Sequence, residues 1–525
     1  MYFRISIVVS PISKSLTSLD KSRDNKYSFI FSTNLYHRMN SESVFDLIVI
    51  GTGSAASAAA HECRSKGWNV AIIDSLPFGG TCALRGCDPK KVLVEAAKIV
   101  DSNQRHENKG IIGSQEIHIK WSDLIRFKRT FTEPFPEHRE NGYIKVGINV
   151  FHGYAKFIGR NNIQVEENNN TNNNTNTNKI TVLNSKYILI ATGAKPMNLN
   201  ILGSENIITS DDFLEFDGNH LPDRIVFVGG GYISFEFAHI AARAGVKKIT
   251  ILHRGKQPLE HFDPDLVNQL IQRSRDVGIN VQLKRTVKKI EKLSDFKLQV
   301  VHSSSNVSDT SLTNTEEKMI SDEQIEEADL VVHGAGRIPN IEGLNLIAGN
   351  IEHTDGRGIK VNEYLQSVSN PSVYAAGDVA DSGGLPLTPV ASYEGVIVAN
   401  NLINGNTLKS NYAGLPSVVF TIPSLTSVGM QEKEAKQKGL QFRTKYEKTD
   451  SWASSKRVGE TCSGFKVLIE KDTDRILGAH ILGPHAEEVI NIFSLAIRLG
   501  LSAKDLKDPI LYSYPTNSSD VVYML

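Results

Sequence analysis

The sequence predicts an α/β protein made of two nucleotide-binding units and a C-terminal α+β domain. Two observations carry the α/β part. An apolar run, a glycine-rich turn and an alanine-rich stretch follow one another at 46–60 and again at 224–242, each reading as strand, tight turn and helix. The third observation is that the glycine fingerprints stop near residue 411. Short apolar runs at 418–420, 467–469 and 476–482 then alternate with amphipathic stretches such as 486–499, a separate mixed domain. At roughly 150 residues per domain, 525 residues allow three to four domains.

Composition excludes several classes. The 58 Lys and Arg balance 58 Asp and Glu, which argues against a nucleic-acid protein. With 40% hydrophobic and 22% charged residues the chain is ordinarily globular, so wholesale disorder is excluded. No apolar run reaches the ~18 residues of a membrane helix, so no membrane role is expected. Four cysteines are too few for a secreted disulfide framework, and a reducing, cytoplasmic setting is expected. Residues 1–43 read as an unstructured extension, or as text upstream of a true start at Met39. The Asn/Thr tract at 168–178 and the Ser/Thr-rich, then acidic tract at 302–327 read as mobile loops between strands.

In the first fingerprint Gly51 permits the tight turn and Gly53 lets the backbone approach a pyrophosphate. Ser54 and Ala55 follow as cofactor-binding residues, and Ala56 is the small third position. Asp74, about 20 residues on and at the end of a second apolar run, suits both ribose hydroxyls. A strand-end cap is its plainer role. The second fingerprint, Gly229, Gly231, Tyr232 and Ile233, is followed by a strand ending in His253-Arg254. No carboxylate stands there to hold a free ribose, whereas Arg254 can meet a 2′-phosphate, so NADP is preferred over NAD.

Cys82 and Cys87 lie in Gly79-Gly80-Thr81-Cys82-Ala-Leu-Arg-Gly-Cys87-Asp-Pro-Lys-Lys91. Residues five apart in a regular helix are separated by about 7.5 Å along the axis, so bridging them demands a distorted first turn. Gly86 supplies the freedom, Pro89 suits a helix start, and a strained bridge is easily reduced. A redox couple is therefore expected. The alternatives are two inert thiols or a zinc half-site, for which no second Cys/His pair has ligand spacing, and no metal is expected.

From about Phe45 to Leu525 the sequence resembles the flavin-dependent pyridine nucleotide-disulfide oxidoreductases, the family of glutathione reductase, dihydrolipoamide dehydrogenase and mercuric reductase. The marks, in order, are 51–56, the Cys82/Cys87 stretch, Ala191-Thr192-Gly193-Ala-Lys-Pro196, 229–236, Gly334-Ala-Gly336-Arg337-Ile-Pro-Asn340, Tyr374-Ala-Ala-Gly377-Asp378 and Leu387-Thr-Pro-Val390. The resemblance implies two Rossmann-like domains, for FAD and NAD(P), and a C-terminal dimerisation domain. Its divisions would be 44–200 and 341–410 for FAD, 201–340 for NAD(P) and 411–525 for a homodimer. It implies FAD on the first fingerprint with Gly80, Thr81, Thr192, Gly193, Gly336, Arg337 and Gly377 nearby, and Asp378 on the ribityl chain. It further implies Lys91 beside the flavin ring and paired with Glu236, Tyr232 as the gate over the flavin, and a Cys82–Cys87 redox disulfide. Cys87 would take electrons from the flavin. Cys82, its pKa depressed by a helix N-terminus, would attack the substrate.

The sequence departs from the family near its end. Tyr514 takes the place of the proton-shuttling His and Ser519 that of its Glu. A phenol with a pKa of about 10 is a poor base at neutral pH, though it can donate a proton to a leaving thiolate. His61 and Val396 stand where glutathione reductases carry carboxylate-gripping arginines, and no cysteine follows Cys462. The expected activity is electron transfer from NADPH through FAD and the cysteine pair to a small-molecule disulfide or another acceptor. The alternatives are a dihydrolipoamide dehydrogenase-like enzyme, an NAD(P)H:quinone or metal reductase, and a redox-sensing flavoprotein without turnover.

Overall fold

The computed structural model describes residues 44–167, 179–304, 322–508 and 510–525. The expected N-terminal extension and the tract 168–178 lie outside the described residues, as does 305–321 of the second polar tract. The rest of that tract is not loop. Residues 302–304 complete the strand Lys297–Ser304, and 323–327 open the strand Glu323–Ala328. These strands form a three-stranded antiparallel sheet with Arg285–Ser294. In Glu323–Ala328 the residues Glu323, Gln324, Ile325 and Glu327 are exposed, Glu326 is half-buried and paired with Lys248, and only Ala328 is buried. A polar composition therefore concealed a strand.

The first sheet is built around β1 (Val44–Ile50), whose residues 47–50 are all buried. The chain continues through α1 (Ser54–Ser65), β2 (Val70–Asp74), α2 (Gly80–Arg85) and α3 (Cys87–Arg105). Then come β3 (Asn149–Gly159), β4 (Asn162–Glu167) and β5 (Ile180–Ile190). β1 pairs in parallel with β2 on one side and with β5 on the other. Parallel strands covered on both faces need continuous apolar runs, which is why 47–50 and 70–73 do not alternate. Beyond this core, β4 joins β3 and β5 antiparallel. The strand Val373–Ala375 adds to the free side of β5. The turn after β1 thus opens between two neighbouring strands, the place where such sheets bind ligands.

The second sheet repeats the plan. β6 (Arg224–Val228) leads through Gly229–Gly231 to α4 (Tyr232–Arg243), followed by β7 (Lys248–His253), β8 (Ile279–Leu283) and β9 (Leu330–His333). All are parallel, in the order β9-β6-β7-β8, so β6 is again flanked on both sides. The C-terminal sheet is antiparallel, ordered Pro416–Val419, Ser424–Gly429, Ile476–Gly483, Gly464–Glu470 and Phe442–Lys448. The helix Ala486–Leu499 buries Val489, Ile490 and Phe493 in one core with Phe465, Val467 and Ile481. Leu93, Val94 and Ala97 of α3 share a core with Phe227 and Phe235 and with Leu425 and Leu482. The helix headed by Cys87 therefore packs against both other sheets.

Small residues bring α1 against α5 (Thr388–Asn404). A Cβ on Gly395 would stand 2.4 Å from the carbonyl oxygen of Ala55, closer than any real contact. Gly395→Ala is expected to push α5 off α1 and to cost about 1–3 kcal/mol, as overpacking does. Urea unfolding of the purified protein measures this, and an unchanged midpoint would refute the close approach.

Candidate active site

The first cradle is glycine-dependent at two points. Gly51 has φ +109°, and a Cβ there would lie 2.3 Å from the Ala191 carbonyl oxygen; Gly80 has φ +72°, and its Cβ would lie 2.5 Å from the Cα of Gly53. Above Gly53 the space is open, its nearest neighbour being the Gly80 Cα at 3.9 Å. Asp74 ends β2 with its Oδ2 accepting from Thr52 Oγ1 at 2.6 Å and its Oδ1 from the Leu76 amide at 3.0 Å. Burial raises its pKa, against those hydrogen bonds. Ser54 and Ala55 begin α1, and Thr81 lies half-buried in α2 beside Gly80. Open backbone above Gly53 and a part-buried carboxylate at the next strand end are what a dinucleotide's pyrophosphate and ribose need, so these residues fit FAD.

The motifs at 191–196 and 334–340 meet each other. Ala194–Pro196 pairs antiparallel with Arg337–Pro339, Thr192 Oγ1 donates to the Asn340 carbonyl at 2.6 Å, and the Asn340 amide donates to Gly193 at 2.9 Å. Arg337 also donates to the Ala194 carbonyl at 2.5 Å. Arg337 works against the burial that raises the pKa of Asp378. A Cβ at Gly336, which has φ +118°, would meet nothing within 4 Å. The loop that bears Gly377 and Asp378 is held by Glu394, 1% exposed. Its carboxylate accepts from the Gly377 amide, Ser382 Oγ and Tyr412 Oη, each at 2.6 Å. Glu394 was not among the residues singled out from sequence, where it is one more polar position of a helix.

A cleft of about 970 Å³ joins the second fingerprint to this loop, with Gly231, Tyr232, Ile233, Arg254, Arg337 and Asp378 among its walls. Gly229 has φ +110°, and a Cβ would lie 2.3 Å from the Gly334 carbonyl oxygen. The His253 ring fills the space over Gly230 and is kept neutral by burial. Arg254 is exposed, and no hydrogen bond or ion pair among the described residues holds it. The Tyr232 ring lies 5.6 Å from the Lys90 ammonium.

The cysteine pair straddles a helix break. Cys82 lies in α2 and Cys87 is the first residue of α3, with Gly86 between them. All four cysteines are thiols in this structure. Cys82 and Cys87 each shift the other's titration, and Cys87 Sγ lies 3.3 Å from Thr388 Oγ1 at the start of α5. Interaction with Cys82, helped by Thr388 and Lys90 and opposed by burial, lowers the Cys87 pKa to about 6. The same interaction, with burial, raises that of Cys82. The expectation that a helix N-terminus depresses Cys82 is therefore corrected. The long helix begins at Cys87, and the thiolate belongs there. Cys63 and Cys462 are buried and pushed up to about 12.

A second correction concerns the lysine. The cation paired with Glu236 is Lys90, not Lys91. Neighbours on a helix are turned about 100° apart, so only one can face α4. Lys91 instead sets its ammonium 3.0 Å from the centre of the Phe420 ring, and burial, with Lys98 nearby, lowers its pKa to about 8. The other oxygen of Glu236 accepts from the Phe420 amide at 2.8 Å. Tyr514 is 84% exposed, and no hydrogen bond among the described residues ties it to the cysteines. Ser519 is engaged locally, its hydroxyl donating to the Thr516 carbonyl at 2.6 Å in a capping arrangement.

Two dinucleotide cradles and a thiol pair beside a buried ion pair define a flavin- and nicotinamide-dependent oxidoreductase. The profile of the pyridine nucleotide-disulphide oxidoreductases matches residues 45–395, and that of their dimerisation domain matches 415–525. The chain belongs to this family and is an FAD-dependent enzyme that uses a pyridine nucleotide and acts on sulfur groups. Mercuric reductase of Staphylococcus aureus is 31% identical over 89% of this chain and 80% of its own. Glutathione reductase of Burkholderia cepacia is 32% identical over 91% of this chain and 98% of its own. The fold is shared with a copper(II) complex of the HOCl-induced flavoprotein disulfide reductase RclA from Escherichia coli. The TM-score is 0.77, with 92% of this chain and 99% of that chain covered at 24% identity.

A depressed thiol gains its charge as pH rises through the lowered value. Alkylation of Cys87 by iodoacetamide in the thiol-reduced holoenzyme is therefore expected to rise with a midpoint near pH 6, not near the ordinary 9.0. Lys90→Met should move that midpoint upward by removing the nearby cation. Peptide mapping by mass spectrometry across pH 4–10 checks both, and a midpoint near 9 would refute the shared-proton pair.

Proposed function

We propose that this protein is a homodimeric, cytoplasmic enzyme that passes two electrons from NADPH to a small disulfide or related sulfur electrophile through a Cys82–Cys87 couple. The observation that carries this reading is the placement of Cys82 and Cys87 on either side of the α2–α3 break, with Thr388 Oγ1 3.3 Å from Cys87 Sγ and with Lys90 supporting negative charge on Cys87. The proposed division into FAD (44–200 with 341–410), NAD(P) (201–340) and dimerisation (411–525) units is supported by the pairing of Val373–Ala375 with β5. No helix among the described residues is long and apolar enough to cross a membrane.

FAD, when bound, would connect hydride chemistry to thiol chemistry. Gly51, Gly53, Ser54, Ala55, Asp74, Gly80, Thr81 and Asp378 would hold it, and the cleft at Gly229, Gly231, Ile233 and Arg254 would hold the nicotinamide cofactor. Tyr232 at the mouth of that cleft would move aside for the nicotinamide. Two electrons and one proton open a Cys82–Cys87 bridge to a thiol and a thiolate. Cys82 keeps the proton and Cys87 the charge, beside Lys90. As substrate arrives, the proton moves from Cys82 to Cys87 and the Cys82 thiolate attacks a substrate sulfur. A mixed disulfide forms, and the departing RS⁻ takes the proton from Cys87. The Cys87 thiolate then attacks Cys82, the bridge re-forms, and a second RS⁻ leaves to be protonated by Tyr514 of the opposite protomer or by water. The net reaction is NADPH + H⁺ + RSSR → NADP⁺ + 2 RSH.

The mercuric reductases among its relatives favour a second reading, reduction of a thiophilic metal ion at the same couple. Steady-state NADPH oxidation with disulfides, quinones and metal ions as acceptors separates the readings. Cys82→Ser is expected to lower disulfide turnover by more than 10³-fold while NADPH still bleaches the flavin. Surviving disulfide turnover would refute the couple. For the nucleotide, Arg254→Gln is expected to lower kcat/KM for NADPH about tenfold or more and to leave that for NADH nearly unchanged, since only NADPH offers a phosphate to the guanidinium. Equal losses with both would remove Arg254 from phosphate recognition.

A further inference from the structure

The residue after Cys87 is an aspartate. Asp88 is the acid in the first turn of α3, exposed beside the exposed Cys87 and the half-buried Cys82. The other charges around the sulfurs are matched. Lys90 is paired with Glu236, and Arg85 lies 3.4 Å from Asp211. Asp88 has no such partner, since no hydrogen bond or ion pair among the described residues holds it. Its negative charge opposes thiolate formation at both Cys82 and Cys87, so its field reaches both reacting atoms. Lys91 sets its ammonium over the Phe420 ring.

An unmatched carboxylate at an exposed thiol pair sorts incoming reagents by charge. We infer that Asp88 is a specificity-determining residue and that the acceptor of this enzyme is a neutral or cationic sulfur electrophile, not a carboxylate-bearing disulfide. The inference rests on the reading of Cys82 and Cys87 as the couple that meets the acceptor. A single negative charge roughly 7 Å away, in a water-like medium, attracts a cation and repels an anion enough to separate their rates by roughly five- to tenfold. The separation must shrink as salt screens the charge.

Two methanethiosulfonates test this on the holoenzyme without requiring turnover. One carries a trimethylammonium group and the other a sulfonate. In each case the thiolate attacks the sulfenyl sulfur, methanesulfinate leaves, and a mixed disulfide R–S–S–Cys forms. The second cysteine then displaces RS⁻, so the pair is oxidised and the reagent reduced. Second-order rates of thiol loss in the thiol-reduced protein are normalised to the same reagents reacting with 2-mercaptoethanol. The cation-to-anion ratio is expected to be roughly five to ten at low salt and to approach one at 1 M NaCl. Asp88→Asn should bring the low-salt ratio near one, and Asp88→Lys should invert it. A change in thiol pKa alters both rates alike and cancels in the ratio. The wild-type salt series needs no variant to fold. A wild-type ratio near one, or one that neither salt nor Asp88→Asn moves, would overturn the inference. Cys82→Ser keeps the exposed Cys87 but has no second thiol to displace RS⁻, so the mixed disulfide should persist there; a mixed disulfide trapped in this variant and released in wild type, beside a flat ratio, would leave the couple standing and remove only Asp88. A mixed disulfide that persists in the wild-type protein would instead remove the couple.

Discussion

The site depends on one buried carboxylate. Glu236, 1% exposed on α4, accepts from Lys90 on the cysteine-bearing helix with one oxygen and from the Phe420 amide with the other. It thereby joins the first nucleotide unit, the second and the approach to the C-terminal sheet at a single side chain. Burial pulls the Lys90 pKa down, but the charge and hydrogen bond of Glu236 outweigh it and the net shift is upward. A raised lysine contributes its stability fully below its ordinary 10.5 and loses it only as pH rises through the higher folded value. At neutral pH the pair is therefore intact. Removing one partner of such a pair typically costs about 3–5 kcal/mol, because the other charge is left buried.

The far end of α3 carries a matching constraint. Asp101, 2% exposed, accepts from Arg243 at 2.7 Å, Arg273 at 3.1 Å and Arg105 at 2.7 Å. Burial would raise its pKa, and the arginines reverse that. Arg243 lies on α4, so the α3–α4 contact is fixed by an ion pair at each end. Between them Leu93, Val94 and Ala97 pack into the shared core. The position of Cys87, at the head of α3, is thus set by two charged clamps and an apolar seam rather than by its own short turn.

Much of this was legible in the sequence because it follows local rules. Both fingerprints, the helix Ala486–Leu499 and the buried strands around β1 and β6 follow from periodicity and glycine placement. What was not legible depended on which way a side chain turns in three dimensions. Lys90 and Lys91 are chemically identical in the text, and only the packing of α3 on α4 decides between them. Glu394 reads as a polar position until the loop at 377–384 folds down onto it. The acidic strand Glu323–Ala328 reads as loop because only Ala328 in it is buried, and what makes it a strand is its backbone pairing with Lys297–Ser304. Ser519, which by the family resemblance stands where a Glu is expected, is engaged in the capping arrangement of its own turn.

The polarity of the thiol pair follows from the same geometry. Two sulfurs that share one proton assign the charge to whichever is better solvated by donors. Cys87 has Cys82, Thr388 and the field of Lys90, whereas Cys82 has only Thr388 acting against its burial. Thr388 sits at the first turn of α5, whose close packing on α1 through Gly395 fixes it relative to the first cradle. The placement of a hydroxyl beside sulfur is therefore inherited from a glycine seven residues further on. Asp88 acts in the opposite sense on both sulfurs, so it does not choose between them. Its effect is on the pair as a whole and on what approaches it from outside, which separates the question of where electrons wait from the question of which acceptor takes them.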